Sequence, residues 1–216
     1  FDAIKKVYNK EKAAEVYEIK EFACEGCGVC VRFCPEKAID FPDRLCGEWM
    51  ISDTRCGPMV HAQLGVAAEN SGKLVSQVRE EAQKLAKEKG LKLILVDGPP
   101  GIGCPVIASL TGVSRVLVVT EPTLSGKHDL KRVMDLCKHF EIHVDICINK
   151  WDLQKDISAE IEKYAQEQGA RVLGKITYDP GVTKAQLQNK AVVEIDTPAK
   201  NDIIKLWKNL NLEVED

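Results

Sequence analysis

The sequence has little that would take it to a membrane or to a nucleic acid. Its longest apolar stretches, among them "LKLILVD" and "RVLVVT", are far shorter than the roughly 18 residues that a membrane-spanning helix needs. Acidic and basic residues nearly balance, with 33 Asp and Glu against 30 Lys and Arg and a net charge of −3. These properties exclude a membrane span and argue against a nucleic acid or an anionic membrane as the main partner.

The sequence also lacks the spread of cysteines that marks a secreted disulfide scaffold. A length of 216 residues predicts one or two domains, and the 44% of hydrophobic and 29% of charged residues are typical of a soluble globular protein. Four of the nine cysteines are clustered, and the other five are scattered through a sequence of α/β character. This distribution predicts free thiols in a reducing cytoplasm.

The clustered cysteines lie in "ACEGCGVCVRFCPEKAID", residues 23–40. Zinc prefers two C-x-x-C pairs separated by a loop, whereas three closely spaced cysteines followed by Cys-Pro favour an iron–sulfur cluster. Gly26 and Gly28 allow the backbone to approach inorganic sulfur closely. Zinc and disulfides remain the alternatives. The four candidate metal ligands are Cys24, Cys27, Cys30 and Cys34.

Apolar runs alternate with helical patterns after residue 90, which predicts βαβ units and a doubly wound, mostly parallel sheet. Residues 41–72 are predicted to be an irregular stretch because they have no sustained period, and residues 73–90 have helical spacing that ends at Gly90. The predicted strands are 91–97, 115–120, 142–148, 170–176 and 191–195, and the predicted helices are 104–111, 126–140, 156–169, 181–188 and 199–209. Ligands of such sheets bind beyond the carboxyl ends of the strands.

The motif "VDGPPG" follows the first of these predicted strands. An aspartate that ends a buried strand before a Gly-Pro-rich turn is how P-loop hydrolases hold Mg²⁺ and sense the γ-phosphate. This interpretation assigns Asp97 to Mg²⁺ and the turn Gly98, Pro99, Pro100 and Gly101 to the nucleotide. The alternative is a tight turn in which Asp97 caps the next helix.

The motif "INKWDL" follows the predicted strand 142–148. An amide and a carboxylate at a strand end can bind the edge of a purine, and Asn-Lys-x-Asp is also the guanine-reading motif of GTPases. The candidate nucleotide-binding residues are therefore Asn149, Lys150 and Asp152. The alternative is a polar loop in which Asp152 begins a helix.

A phosphate-binding G-x-x-x-x-G-K-[ST] loop is missing from these residues. The nearest candidate, "GVAAENSGKLV", has six residues between Gly65 and Gly72 instead of four, and Leu74 replaces the Mg²⁺-binding hydroxyl. It is rejected, and Lys73 is predicted to be a solvated helix residue.

The scattered cysteines and the histidines add no second metal motif. Cys137 and Cys147 occupy apolar positions and are predicted to be small core residues. Cys104 begins a predicted helix, and helix N-termini can activate a thiol, so a ligand or redox role is an alternative to a structural one. The four histidines have no metal-site spacing.

The run "VDGPPGIGCPVIASLTGVSRVLVVTEPTLSGKHDLKRVMDLC" followed by "INKWDL" resembles the MinD-like (SIMIBI class) P-loop ATPases that carry an inserted two-cluster ferredoxin domain. "CGEWMISDTRCGPMVHAQLG" and "ENSGKLV" resemble the linker of that family. The resemblance implies a ferredoxin-like α+β iron–sulfur domain at 1–45, a linker at 46–72 and a P-loop ATPase domain at 73–216.

The resemblance also implies roles for the candidate residues. Asp97 would organise Mg²⁺, and Asn149 would contact adenine in a homodimer that encloses two ATP molecules. Cys24, Cys27 and Cys30 would hold one [4Fe–4S] cluster, and Cys34 would complete the other. The implied function is coupling of ATP binding and hydrolysis to electron transfer or metal-cluster handling, with a redox or cluster-accepting partner. The alternatives are a plain ferredoxin-type carrier on a degenerate nucleotide fold and a GTPase-like switch.

The sequence departs from this family at its start. The family's first strand, Walker A loop and first cysteine run are absent, so these 216 residues alone are expected to hydrolyse no ATP. Ferredoxin halves are repeats, and placing Ala3 and Ile4 over Ala38 and Ile39 predicts a further cysteine two residues before Phe1. Both clusters would then lack ligands here, and the chain is expected to bind iron poorly.

Overall fold

The computed structural model describes residues 2–20, 23–43, 45–65, 68 and 72–212. The chain divides into two compact units, Phe1–Leu74 and Val75–Asp216. Of the rejected phosphate-loop segment 65–75, residues 66, 67 and 69–71 lie outside the described part. No described helix is long and apolar enough to cross a membrane.

The described part of the first unit contains two antiparallel hairpins and one short helix, followed by the first two residues of a longer helix. Strand β1, Ile4–Asn9, pairs with β2, Ala14–Ile19, and the Asn9 side chain holds their turn by accepting the backbone N–H groups of Glu11 and Lys12 at 2.9 and 3.0 Å. The helix α1 covers Val29–Phe33. An asparagine that binds the amides following it favours a turn, which explains where β1 ends.

The second hairpin pairs β3, Gly47–Thr54, with β4, Gly57–Leu64. Thr54 Oγ1 donates to the Gly57 carbonyl at 2.6 Å and accepts the Cys56 N–H at 3.1 Å, so one hydroxyl closes the turn. The sequence-based prediction of irregular structure throughout 41–72 is therefore wrong for residues 47–64. Three apolar residues in succession, Trp49 to Ile51, hide the alternation on which strand prediction depends.

A three-stranded parallel sheet in the order β5-β6-β7 forms the centre of the second unit. Its strands are β5, Arg115–Thr120, β6, His143–Asn149, and β7, Arg171–Ile176. The helices are α2, Lys73–Lys89, α3, Cys104–Leu110, α4, Leu124–His139, α5, Lys155–Glu167, α6, Gly181–Leu187, and α7, Pro198–Leu210. The first two residues of α2 belong to the first unit.

Helices cover both faces of this sheet. On one face Ile146 and Ile148 of β6, both 0% exposed, pack against α4 and α5. On the other face Cys147 packs against Leu206 and Leu210 of α7. The central strand is thus apolar on both sides, as in doubly wound folds, and the predicted fold class is confirmed.

Two predicted strands are absent from the described structure. Residues 91–99 form no strand, and Leu95 there is 79% exposed. A strand exists only through ladder hydrogen bonds, and within the described residues β5 pairs with β6 alone. At 191–195 a 3₁₀ turn, Val192–Glu194, replaces the predicted strand, with the Glu194 carboxylate accepting the Ala191 N–H at 2.6 Å.

A carboxylate is buried at the amino end of the sheet. Asp145 is 0% exposed and accepts hydrogen bonds from Arg115 Nε at 2.5 Å and from Arg171 Nε at 3.2 Å. His143 Nε2 lies 3.6 Å from the same carboxylate. Because Arg115, His143 and Arg171 begin β5, β6 and β7, this one carboxylate joins the starts of all three strands.

The turn from β5 into α4 requires a glycine at position 126. Thr123 caps α4 by accepting the Gly126 N–H at 2.9 Å, and Thr120 Oγ1 donates to the Gly126 carbonyl at 3.1 Å. A Cβ atom at this position would overlap the carbonyl oxygen of Glu121, which is backbone and has little room to move. The close approach explains the glycine.

Replacement of Gly126 by alanine is therefore expected to lower the free energy of unfolding by about 1–3 kcal/mol, the usual cost of overpacking. Urea denaturation measures the change. Gly103→Ala is the matched control, because a Cβ there meets only Pro105 Cδ at 3.7 Å. Equal stability of the two variants would contradict the prediction.

Candidate functional site

The carboxyl ends of β5 and β6 are joined by an ion pair. Lys150, the first residue after β6, adopts a left-handed conformation with φ of 55°. Its Nζ atom lies 2.6 Å from Oε1 of Glu121, the first residue after β5. Lys150, predicted to bind a nucleotide, is thus paired with a carboxylate at the end of the neighbouring strand. Asn149, the last residue of β6, is half-buried beside it.

The carboxyl ends of β6 and β7 are joined by hydrogen bonds. Asp152 Oδ1 accepts the backbone N–H of Tyr178 at 2.7 Å, and Trp151 Nε1 lies 3.4 Å from Thr177 Oγ1. The structure therefore brings the predicted residues Asn149, Lys150 and Asp152 to one edge of the sheet. It also gives Asp152 a backbone partner that its sequence motif does not indicate.

The loop after β7 was not predicted to contribute to this edge. Asp179 accepts the N–H groups of Gly181 at 2.7 Å and Ala199 at 3.2 Å. These bonds, first that from Gly181, lower the pKa of the Asp179 carboxyl from its ordinary value. The sequence signal was available, because "YDPG" directly follows a predicted strand, and such positions form ligand sites in parallel sheets.

The predicted magnesium-binding loop, residues 97–101, lies in a segment that forms neither helix nor strand. Asp97 and the turn residues Gly98, Pro99 and Pro100 are exposed, whereas Gly101 is half-buried with φ of 91°. The helix α3 follows at Cys104, with Pro105 in its first turn. Assignment of Asp97 to Mg²⁺ therefore stays a prediction.

The cysteine run forms a loop around two left-handed glycines. Gly26 and Gly28 have φ of 60° and 69°, and a Cβ at Gly26 would meet nothing within 4 Å. The helix α1 starts directly after Gly28 and contains Cys30. Cys34 ends that helix, and its Sγ atom accepts the Ala38 N–H at 3.4 Å. Backbone donors to sulfur of this kind tune iron–sulfur clusters.

The donors of this loop fit an iron–sulfur cluster by their chemistry. All four cysteines are free, Cys24 and Cys27 being exposed and Cys30 and Cys34 half-buried. Across the described ranges, no three His, Cys, Asp or Glu side chains converge into a ready-made metal site. The thiols are thus present without being assembled, as expected where the metal itself completes the site.

The remaining cysteines divide into two kinds. Cys137 and Cys147 are 0% exposed and belong to the core, as predicted. Burial raises the pKa of both thiols, and together with the negative charge of Asp202 it raises that of Cys147 to about 11. Both therefore stay protonated at neutral pH and are unsuited to metal ligation. Cys104 is exposed at the start of α3.

Comparison with known proteins identifies a 4Fe-4S binding domain at residues 17–40. This match includes all four clustered cysteines and supports the iron–sulfur interpretation over zinc and disulfides.

The chain is also similar to two uncharacterized proteins of Methanocaldococcus jannaschii. MJ0578 is 33% identical, with 63% of this chain and 56% of the relative covered. MJ0579 is 26% identical, with 62% and 47% covered. The chain thus spans about half the length of these curated relatives.

Solved structures define the fold. The MinC:MinD cell division complex of Aquifex aeolicus matches with a TM-score of 0.56 and 20% identity, covering 74% of this chain and 66% of that one. MinD of Pyrococcus horikoshii, solved with Mg-ADP, gives 0.54 and 19%, covering 69% and 60%. The cell division ATPase MinD of Pyrococcus furiosus gives 0.52 and 18%, covering 67% and 59%.

These matches establish the fold class of the chain. The chain combines a MinD-like P-loop ATPase fold with a ferredoxin-type 4Fe-4S binding domain, as its sequence motifs predicted. At these identities the solved structures establish the fold, and the activity is a separate question.

Proposed function

We propose that this protein couples ATP binding and hydrolysis in its MinD-like fold to electron transfer or cluster handling at its cysteine loop. One observation carries the proposal: a single chain joins a 4Fe-4S binding domain to the fold of a nucleotide-binding ATPase. A carrier of electrons alone would need only the first of these.

In this proposal the clustered cysteines hold the iron–sulfur centres. Cys24, Cys27 and Cys30 bind one [4Fe–4S] cluster, and Cys34 is a ligand of a second. The bound cluster supplies one-electron redox chemistry. The Ala38 amide, 3.4 Å from Cys34 Sγ, supports this role because an N–H donor stabilises negative charge on a ligating sulfur.

The nucleotide is proposed to lie at the carboxyl edge of the β5-β6-β7 sheet. Asn149 contacts adenine, Asp97 organises Mg²⁺, and residues 98–101 respond to the γ-phosphate. The Pyrococcus horikoshii MinD structure, described as a complex with Mg-ADP, supports the choice of nucleotide and metal. A second copy of the chain and a redox or cluster-accepting protein are the proposed partners.

Anaerobic reconstitution with iron and sulfide tests the coupling. The reduced clusters are examined by electron paramagnetic resonance, and their midpoint potential is measured without nucleotide, with Mg-ADP and with Mg-ATP. We expect a spectrum and a potential that differ between the ATP and ADP states. If ATP binding is measured but neither the spectrum nor the midpoint potential changes with Mg-ATP, the coupling is ruled out.

A plain ferredoxin-type carrier on a degenerate nucleotide fold is the second candidate. The exposure of Asp97 and the absence of a strand at 91–99 favour it, because a working magnesium site is normally built on a buried strand end. This candidate predicts bound iron and sulfide with no ATP affinity. Isothermal titration with Mg-ATP separates the two.

A further inference from the structure

The strongest unexplained contact at the candidate nucleotide edge is the bond between Asp152 and Tyr178. If Asn-Lys-x-Asp acted here as it does in GTPases, Asp152 would recognise a guanine base. We propose instead that Asp152 is a positioning residue, whose carboxylate holds the loop after β7 next to Asn149 and recognises no base. The inference rests on the proposed function in one respect, the placing of a nucleotide at this edge.

The Asp152 carboxylate already has a partner within the protein. A carboxylate that recognises guanine accepts two N–H groups from the base, one at each oxygen. Here Oδ1 already accepts the Tyr178 backbone N–H at 2.7 Å. A guanine would have to share Oδ1 with this amide or release the amide to water, so the bond to Tyr178 competes with base recognition.

The loop after β7 is held by carboxylates from two different elements. Consecutive amides, those of Thr177 and Tyr178, are each bound by a carboxylate from a different element. Asp202 Oδ2 of α7 accepts the Thr177 N–H at 2.9 Å, and Asp152 accepts the Tyr178 N–H. Such paired anchoring fixes the backbone direction after β7, a task for which both aspartates are needed.

The two residues before Asp152 in the motif also make contacts within the protein. Trp151 contacts Thr177 Oγ1 through its indole nitrogen, at 3.4 Å, and Lys150 is paired with Glu121. Both neighbours therefore connect β6 to an adjacent strand end. Of the four motif residues, Asn149 is the one proposed to contact a base. The contacts of Lys150, Trp151 and Asp152 fix its surroundings.

Two substitutions at position 152 separate positioning from base recognition. Asp152→Asn keeps an oxygen that can accept the Tyr178 N–H, whereas Asp152→Ala removes it. In a guanine reader, Asp152→Asn would move the preference from guanine to xanthine nucleotides, because the amide NH₂ can donate to the xanthine carbonyl.

The first measurement is amide hydrogen exchange at Tyr178 in the nucleotide-free protein. We expect Asp152→Ala to speed exchange at that amide by about 2- to 10-fold, as loss of one hydrogen bond does, and Asp152→Asn to leave it near the wild-type rate. Asp156→Ala, an exposed carboxylate in the first turn of α5, is the control and should change nothing at Tyr178. Unchanged exchange in Asp152→Ala would overturn the proposal.

The second measurement is the affinity for ATP, GTP and xanthosine triphosphate. We expect Asp152→Asn to keep the wild-type preference, and Asp152→Ala to weaken the preferred nucleotide by about 10-fold, which equals 1.4 kcal/mol. A switch of Asp152→Asn toward xanthosine triphosphate would overturn the proposal. If the wild type binds none of the three, the proposed function fails, and the exchange measurement still decides the role of Asp152.

Discussion

Replacing Cys30 with alanine is expected to remove the cluster proposed to be bound by Cys24, Cys27 and Cys30, whereas replacing Cys46 leaves that cluster in place. Cys30 lies within α1, in the middle of the run, and is half-buried. Cys46 is exposed, precedes β3 and lies outside the 4Fe-4S match. Alanine supplies no donor atom, so the iron that Cys30 would bind loses its protein ligand.

Iron and acid-labile sulfide, determined after anaerobic reconstitution, are the measurements for this prediction, together with the visible absorbance of the cluster. Circular dichroism of the metal-free proteins shows whether either variant disturbs the fold, which separates ligand loss from misfolding. Full iron and sulfide in Cys30→Ala, or equal loss in Cys46→Ala, would refute the assignment of the run as the ligand set.

Replacing Asp145 with alanine is expected to cost about 3–5 kcal/mol of the free energy of unfolding, the typical loss when a buried ion pair is left with one partner. The Asp145 side chain is 0% exposed, and that of Arg115 is only 22% exposed. Arg115 also donates to the Leu210 carbonyl, so it cannot move to solvent without leaving α7. Its positive charge would then stay partly buried without a carboxylate.

Arg171→Ala is the matched control for this prediction. Its side chain is 56% exposed, and exposed ion pairs contribute about 0–1 kcal/mol. Urea denaturation of both variants gives the two free energies. A loss below about 1 kcal/mol in Asp145→Ala would show that the buried pair is not what holds the strand starts together. The double variant Arg115→Met with Asp145→Leu should recover stability, because it removes both charges.

The strands of the parallel sheet were predicted from the sequence, whereas those of the first hairpin were not. β5, β6 and β7 are short apolar runs between helical patterns, and burial on both faces makes such runs easy to recognise. β1 and β2 are largely exposed, and their apolar residues do not alternate regularly with the lysines and glutamates, so they lack the pattern of a half-buried strand. The segment 91–97 has a strand-like composition, but composition does not supply the neighbouring strand that a ladder requires.

The candidate site was predictable only where chemistry is local. The cysteine spacing is contained within residues 24–34, and "NKWD" is contiguous, so each motif can be recognised without a fold. The partners of Asp152 and Asp145 are not local, because Tyr178 and Arg115 reach them through the arrangement of parallel strands. Residue types alone do not reveal which carboxylate binds a ligand and which holds a loop.

The two hairpins of the first unit have a consequence for the order of folding. Each joins strands that are adjacent in the chain, whereas every pairing in the β5-β6-β7 sheet requires an intervening helix to be placed first. Local pairings form faster than parallel ones, and amino-terminal segments leave the ribosome earlier. We therefore expect the two hairpins, and the cysteine loop that lies between them in the chain, to form before the sheet of the second unit.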